Sequence, residues 1–80
     1  MNNNENIAGE RLKELRGILN LSQTGLGIEV GVASNYISAC ERGRRKIGIK
    51  LINRFVAMAE RYGVKIDQSY LRPDLEEQGV

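Results

Sequence analysis

Apolar residues recur at helical spacing through most of the chain, and the breaks between them predict five helices. Leu12, Leu15, Ile18 and Leu19 form one stripe over roughly Ile7–Leu19, with Arg11, Lys13, Glu14 and Arg16 around it. Asn20 ends this helix, because asparagine tolerates the left-handed backbone that a helix C-terminus demands. Ser22 then caps a second helix over Gln23–Val30, carrying Leu26, Ile28 and Val30. Gly31 is the pivot into a third, from about Ser34 to Arg42, with Ile37 and Cys40 turned inward and Gly43 as its stop.

A fourth helix starts near Gly48 or Ile49 and ends at Gly63. Its broad stripe is Leu51, Ile52, Phe55, Met58, Ala59 and Tyr62. Ile49 and Val56 miss that stripe and form a narrow apolar strip of their own, which needs a cover: the C-terminal segment or a second protomer. Val64–Leu71 reads as a turn and a short fifth helix with Asp67 as N-cap and Ile66, Tyr70 and Leu71 for packing. The polar start, residues 1–6, offers nothing to bury and reads as a frayed end. Residues 72–80 read as an acidic, unstructured tail after Pro73.

Eighty residues with 41% hydrophobic positions make one small domain. The net charge of +2 is unevenly spread. Residues 33–54 carry Arg42, Arg44, Arg45, Lys46, Lys50 and Arg54 against the lone acid Glu41, whereas residues 66–80 set Arg72 against four acids. A basic block beside a short two-helix corner points to a polyanion, and such a corner suits insertion of its second helix into the DNA major groove. With no histidine and a single cysteine, the chain holds no zinc site, no intrachain disulfide and no His-based triad, and nothing calls for a cofactor. No nucleophile–base constellation is visible, so an enzyme is the lowest-ranked reading. No apolar run approaches a membrane span, and the expected location is the cytoplasm.

At Leu21-Ser22-Gln23, Gly31-Val32, Tyr36-Ile37-Ser38 and Glu41-Arg42-Gly43 the sequence resembles the Xre-type, lambda-repressor-like helix-turn-helix family. The similarity extends through Arg11–Arg16 and Ala59–Val64, over most of residues 7–66. It implies an all-α, five-helix DNA-binding domain that acts as a transcriptional regulator, a repressor bound to a pseudo-palindromic operator as a homodimer. By that resemblance Ser34, Asn35, Ser38 and Ala39 read bases, chemistry for which Asn, Ser and a methyl group are suited. Ser22, Gln23, Tyr36, Arg42, Arg44, Arg45 and Lys46 face phosphates, and Arg16 pairs with Glu41. Tyr36 can equally pack its ring, and Cys40 belongs under the third helix rather than in redox chemistry.

The chain departs from the family pattern at Thr24-Gly25 and at Ala33, where a capping Ser or Thr is expected. Either Ser34 caps one residue late or the helix begins uncapped. Gly27 fits a position where the two helices of the motif come close; Gly25 has no such reason. An antitoxin whose C-terminal segment binds a toxin protein while its helix-turn-helix represses its own operon is the rival within the fold; Leu71–Leu75 is similar to the ending of some YdaS-type antitoxins or Cro-like phage repressors. A protein-interaction module that has lost DNA is the rival outside it.

Overall fold

The computed structural model describes residues 3–78, and these form six helices: α1 (Asn3–Leu19), α2 (Gln23–Val30), α3 (Ser34–Glu41), α4 (Ile49–Arg61), α5 (Gln68–Leu71) and α6 (Pro73–Gln78). The all-α expectation holds, with one helix more than the periodicity predicted. A single core joins Leu12, Leu15, Leu26, Ile37, Ile47, Ile52, Phe55, Met58 and Leu71, so every helix from α1 to α5 contributes to it. Each of these side chains gains about 1.5–3 kcal/mol on leaving water, which is what orders helices too short to stand alone.

Local chemistry sets most helix ends. The Leu21 N–H reaches back to the Arg16 carbonyl at 3.0 Å while Asn20 takes a φ of 58°, closing α1 as its sequence implied. The Ser22 hydroxyl accepts from the Gly25 N–H at 2.9 Å and opens α2. Gly31, at φ 80°, closes α2 by donating to the Gly27 carbonyl at 2.7 Å. Ala33 is the N-cap of α3 and has no side-chain bond to offer, so this helix begins uncapped and Ser34 lies inside it. Arg42 is the C-cap rather than the last helical residue, and Gly43 at φ 74° turns the chain away.

Two ends differ from expectation because tertiary contacts decide them. The expected frayed end is helical from Asn3 onward: Asn6 sits against Gly43, and Gly9 lies on the carbonyls of Cys40 and Glu41, so the first turns of α1 are held against the end of α3. Met1 and Asn2 lie outside the described residues. The expected tail forms α6, which packs against α1 with Pro73 buried at the first helical position, while Arg72 and Asp74 pair locally through two bonds of 3.0 and 2.8 Å. Gly79 and Val80 lie outside the described residues.

Three residues assigned to apolar stripes are exposed instead: Ile28 (76%), Ile18 (58%) and Tyr62 (43%). Ile28 lies two positions from Leu26, which on a helix is nearly the opposite side, and Ile18 is rotated by about 90° from the centre of the Leu12–Leu15–Leu19 face. Tyr62 follows the last turn of α4, which stops at Arg61, and its hydroxyl donates to Glu29 at 3.0 Å. Ile47, unassigned by the periodicity because it lies in the loop, is buried at the centre. Val56 packs partly against the core, while Ile49 is 43% exposed. Beside Val56, α5 lies against α4, with Gln68 Nε2 donating to Asn53 Oδ1 at 2.6 Å.

Candidate nucleic-acid interface

The two helices α2 and α3 form a corner whose closeness depends on one missing side chain. A Cβ on Gly27 would collide with the Val32 carbonyl oxygen, so the turn presses directly on the α2 backbone. A Cβ on Gly25 would sit 3.3 Å from the Ser22 hydroxyl that caps the helix, a contact that a small shift of that side chain relieves, so nothing in the structure explains this glycine.

With Ile37 and Cys40 buried, the other side of α3 faces out. Asn35 is exposed, and Ser34, Ser38 and Ala39 are half-buried along the same outward surface. The last helices pack against α1 and α4. The outward side chains of α3 therefore form an open row of one amide, two hydroxyls and one methyl.

The α2 start is tied to the α3 end by a charged network. Arg16 grips Glu41 with Nε to Oε2 at 2.7 Å and Nη2 to Oε1 at 3.2 Å, and donates Nη1 to the Leu21 carbonyl at 3.2 Å. Gln23 Nε2 donates to the same Glu41 carboxylate at 3.1 Å. The Glu41 hydrogen bond raises the Arg16 pKa above its already high ordinary value, against the opposing cost of burial. Glu41 is 5% exposed in its side chain, so removing Arg16 would strand a charge. The expected Arg16–Glu41 pair is present, and Gln23 is half-committed to it. Its second amide proton and the free N–H groups of the α2 N-terminus are what remain for an anion. Ser22 is exposed, with its hydroxyl in the cap.

Arg42, Arg44, Arg45 and Lys46 are all exposed on the segment leaving α3. Arg45 folds back so that its guanidinium carbon lies 5.1 Å from the centroid of the Tyr36 ring. Tyr36 is half-buried and packs on the core, and the same ring carries the Arg45 guanidinium. Cys40 is buried, and burial pushes its thiol up to about 11, with Arg45 pulling the other way and Glu41 adding to the rise. A thiol held protonated is a poor nucleophile.

One feature escaped sequence reasoning. Asn4, Glu5, Ala8, Lys46, Ile47 and residues 71–74 line a pocket of about 250 Å³ between the ends of the described chain. It joins three segments distant in sequence, two of them read as unstructured. There the Asp74 carboxyl is held below its ordinary value, first by its bond to Arg72 and more weakly by Lys46. Among the described residues no cluster of His, Cys, Asp and Glu could hold a metal ion, and no helix is long and apolar enough to cross a membrane.

A family model described as a helix-turn-helix domain matches residues 7–69. An uncharacterized HTH-type transcriptional regulator of Archaeoglobus fulgidus is 41% identical over 49 residues, covering 61% of this chain. The match takes in 21% of that protein, so the chain spans about a fifth of its relative's length. Among solved structures, the restriction-modification controller protein C.AhdI of Aeromonas hydrophila aligns with a TM-score of 0.67 and 28% identity. That alignment covers 84% of this chain and 94% of the controller protein.

Proposed function

We propose a DNA-binding transcriptional regulator, on the premise that this chain belongs to the helix-turn-helix domain family, whose model it matches over residues 7–69. One observation supports this above the others. The outward row of α3 is open and chemically suited to base edges, and exposed Arg42, Arg44 and Lys46 flank it where phosphates would lie. Asn35 is the principal reader: its amide can bond bidentately to adenine in the major groove. The cations fix register and supply affinity that falls with salt, without reading sequence.

Regulation is by occupancy: the protein is a repressor that binds a pseudo-palindromic operator in the cytoplasm as a homodimer. Two copies of α3 then lie about 34 Å apart, one turn of B-DNA. The restriction-modification controller relative is consistent with a small regulator of this kind.

Selection of genomic fragments with the purified protein, read out by sequencing, tests the reading. Asn35→Ala is expected to relax preference at one operator position by about 1–3 kcal/mol, while Arg44→Ala weakens all duplexes alike and flattens the salt dependence. An unchanged ranking of operator variants for Asn35→Ala removes that residue as a reader. Failure of the wild-type protein to enrich any fragment removes the function.

A further inference from the structure

Most guanidinium groups placed by the structure spend their N–H donors inside the protein. Arg16 gives them to Glu41 and Leu21, Arg54 to the Val30 carbonyl, Arg61 to Glu29 and Arg72 to Asp74. Arg11 also lies over an aromatic ring, with its guanidinium carbon 5.6 Å from the Tyr70 centroid, but its Nη1 is bonded to the Ser69 and Tyr70 carbonyls at 3.3 and 3.1 Å. Arg45 differs. It is exposed, it stacks on Tyr36 at 5.1 Å, and among the described residues no carboxylate forms an ion pair with it.

Stacking occupies the flat face of a guanidinium and leaves its edge untouched, so all five donors of a stacked arginine remain available in a fixed fork. A free arginine gives up rotamer entropy when it is immobilised. An arginine already lying on a ring has given up part of that before binding. The ring is itself a firm support, because Tyr36 packs on the core from the first turn of α3.

We propose that Tyr36 is a positioning residue: its ring face holds the Arg45 guanidinium beside α3, with the edge of the fork presented to a DNA phosphate. The inference rests on the DNA-binding reading above and deepens it. Tyr36 thereby acts through Arg45, and its own hydroxyl is not the contact. The interaction also couples the phosphate-binding loop to the base-reading helix, so Arg45 reports the position of α3 rather than that of a free loop.

The test is a double-mutant cycle on a fluorescein-labelled mixed-sequence DNA duplex, with Kd measured across a salt series. Arg45→Ala should weaken binding roughly three- to tenfold and lower the salt slope by about one. Tyr36→Leu should weaken the parent protein by roughly threefold yet leave the Arg45→Ala variant unchanged, and Tyr36→Phe should bind like the parent. Equal losses from Tyr36→Leu in both backgrounds, a loss in Tyr36→Phe, or no effect of Arg45→Ala would each overturn the proposal. Proton NMR of the free protein provides a reading independent of both DNA and the leucine variant's stability. The Arg45 side-chain signals, assigned by their loss in Arg45→Ala, should be shifted upfield by the ring; unshifted signals refute the stack even where duplex binding persists. A parent protein with the shift but without salt-dependent duplex binding sinks the functional reading and leaves the stack standing.

Discussion

Three glycines within helices have opposite consequences at the scale of one residue. A Cβ on Gly17 would meet nothing within 4 Å, so Gly17→Ala should stabilise the fold by about 1 kcal/mol through helix propensity alone. A Cβ on Gly9 would lie 2.5 and 2.6 Å from the carbonyl oxygens of Cys40 and Glu41, and one on Gly27 would collide with the Val32 carbonyl. In both places the obstacle is backbone, and overpacking should cost about 1–3 kcal/mol despite the better propensity. Urea denaturation of the three alanine variants checks the order: Gly17→Ala above the parent, the other two below.

Cys40 gives a pH prediction of definite sign. Burial raises its thiol from an ordinary 9.0 to about 11, so the native state holds this proton more tightly than the unfolded chain. The resulting stability is complete below pH 9 and is lost as pH rises towards about 11. Tyr70, pushed up to about 12 chiefly by burial and then by Glu14, adds a further loss above its ordinary 10.0. Unfolding free energy should therefore fall across pH 9–11, and Cys40→Ala should flatten the decline at its lower end. A parent protein with level stability through that range would contradict the assignment.

At the scale of the element, α3 begins without a side-chain cap, as α4 and α5 also do. Ala33 holds the N-cap position at φ −71° and ψ 152°, the extended geometry a capping residue adopts, without a group to cap with. Ala33→Ser should supply that bond and add about 1 kcal/mol, about 4–8 °C in the thermal midpoint of a domain this size. An unchanged midpoint would mean the uncapped N–H groups are already satisfied by water at no cost.

The same helices show what was legible beforehand. The bounds of α2 were readable because Ser22 and Gly31 fix its ends locally. The start of α1 and the whole of α6 were not, because Asn6 against Gly43 and the packing of α6 on α1 are contacts across the fold. Alternation misled at Ile28, where counting apolar residues without their angle put an exposed side chain inside.

At the scale of the molecule, α1 is the common partner, touching α3, α5 and α6. Arg11 donates to the last carbonyls of α5 while the Tyr70 hydroxyl returns a bond to the Arg11 carbonyl at 3.1 Å, so the two ends of the domain are clasped. The partner of Glu41 was legible by family resemblance; that Gln23 shares its carboxylate was not, since the sequence gives no distance between two residues 18 apart.

Val56 is partly covered from within the chain, whereas Ile49 remains open, which moves the expected dimer contact towards the start of α4. Sedimentation at micromolar concentration should show a dimer for the parent and a monomer for Ile49→Glu; a variant of unaltered mass would exclude Ile49 from the interface.

The bare contact of Gly9 with the end of α3 has a wider meaning for how such a domain can change. Because backbone meets backbone there, the tilt of the reading helix is set without reference to the side chains it displays. Under the proposed reading, a new target sequence can then be acquired by exchanging residues 34, 35, 38 and 39 while the scaffold stays as it is, and divergence of specificity need not wait on repacking.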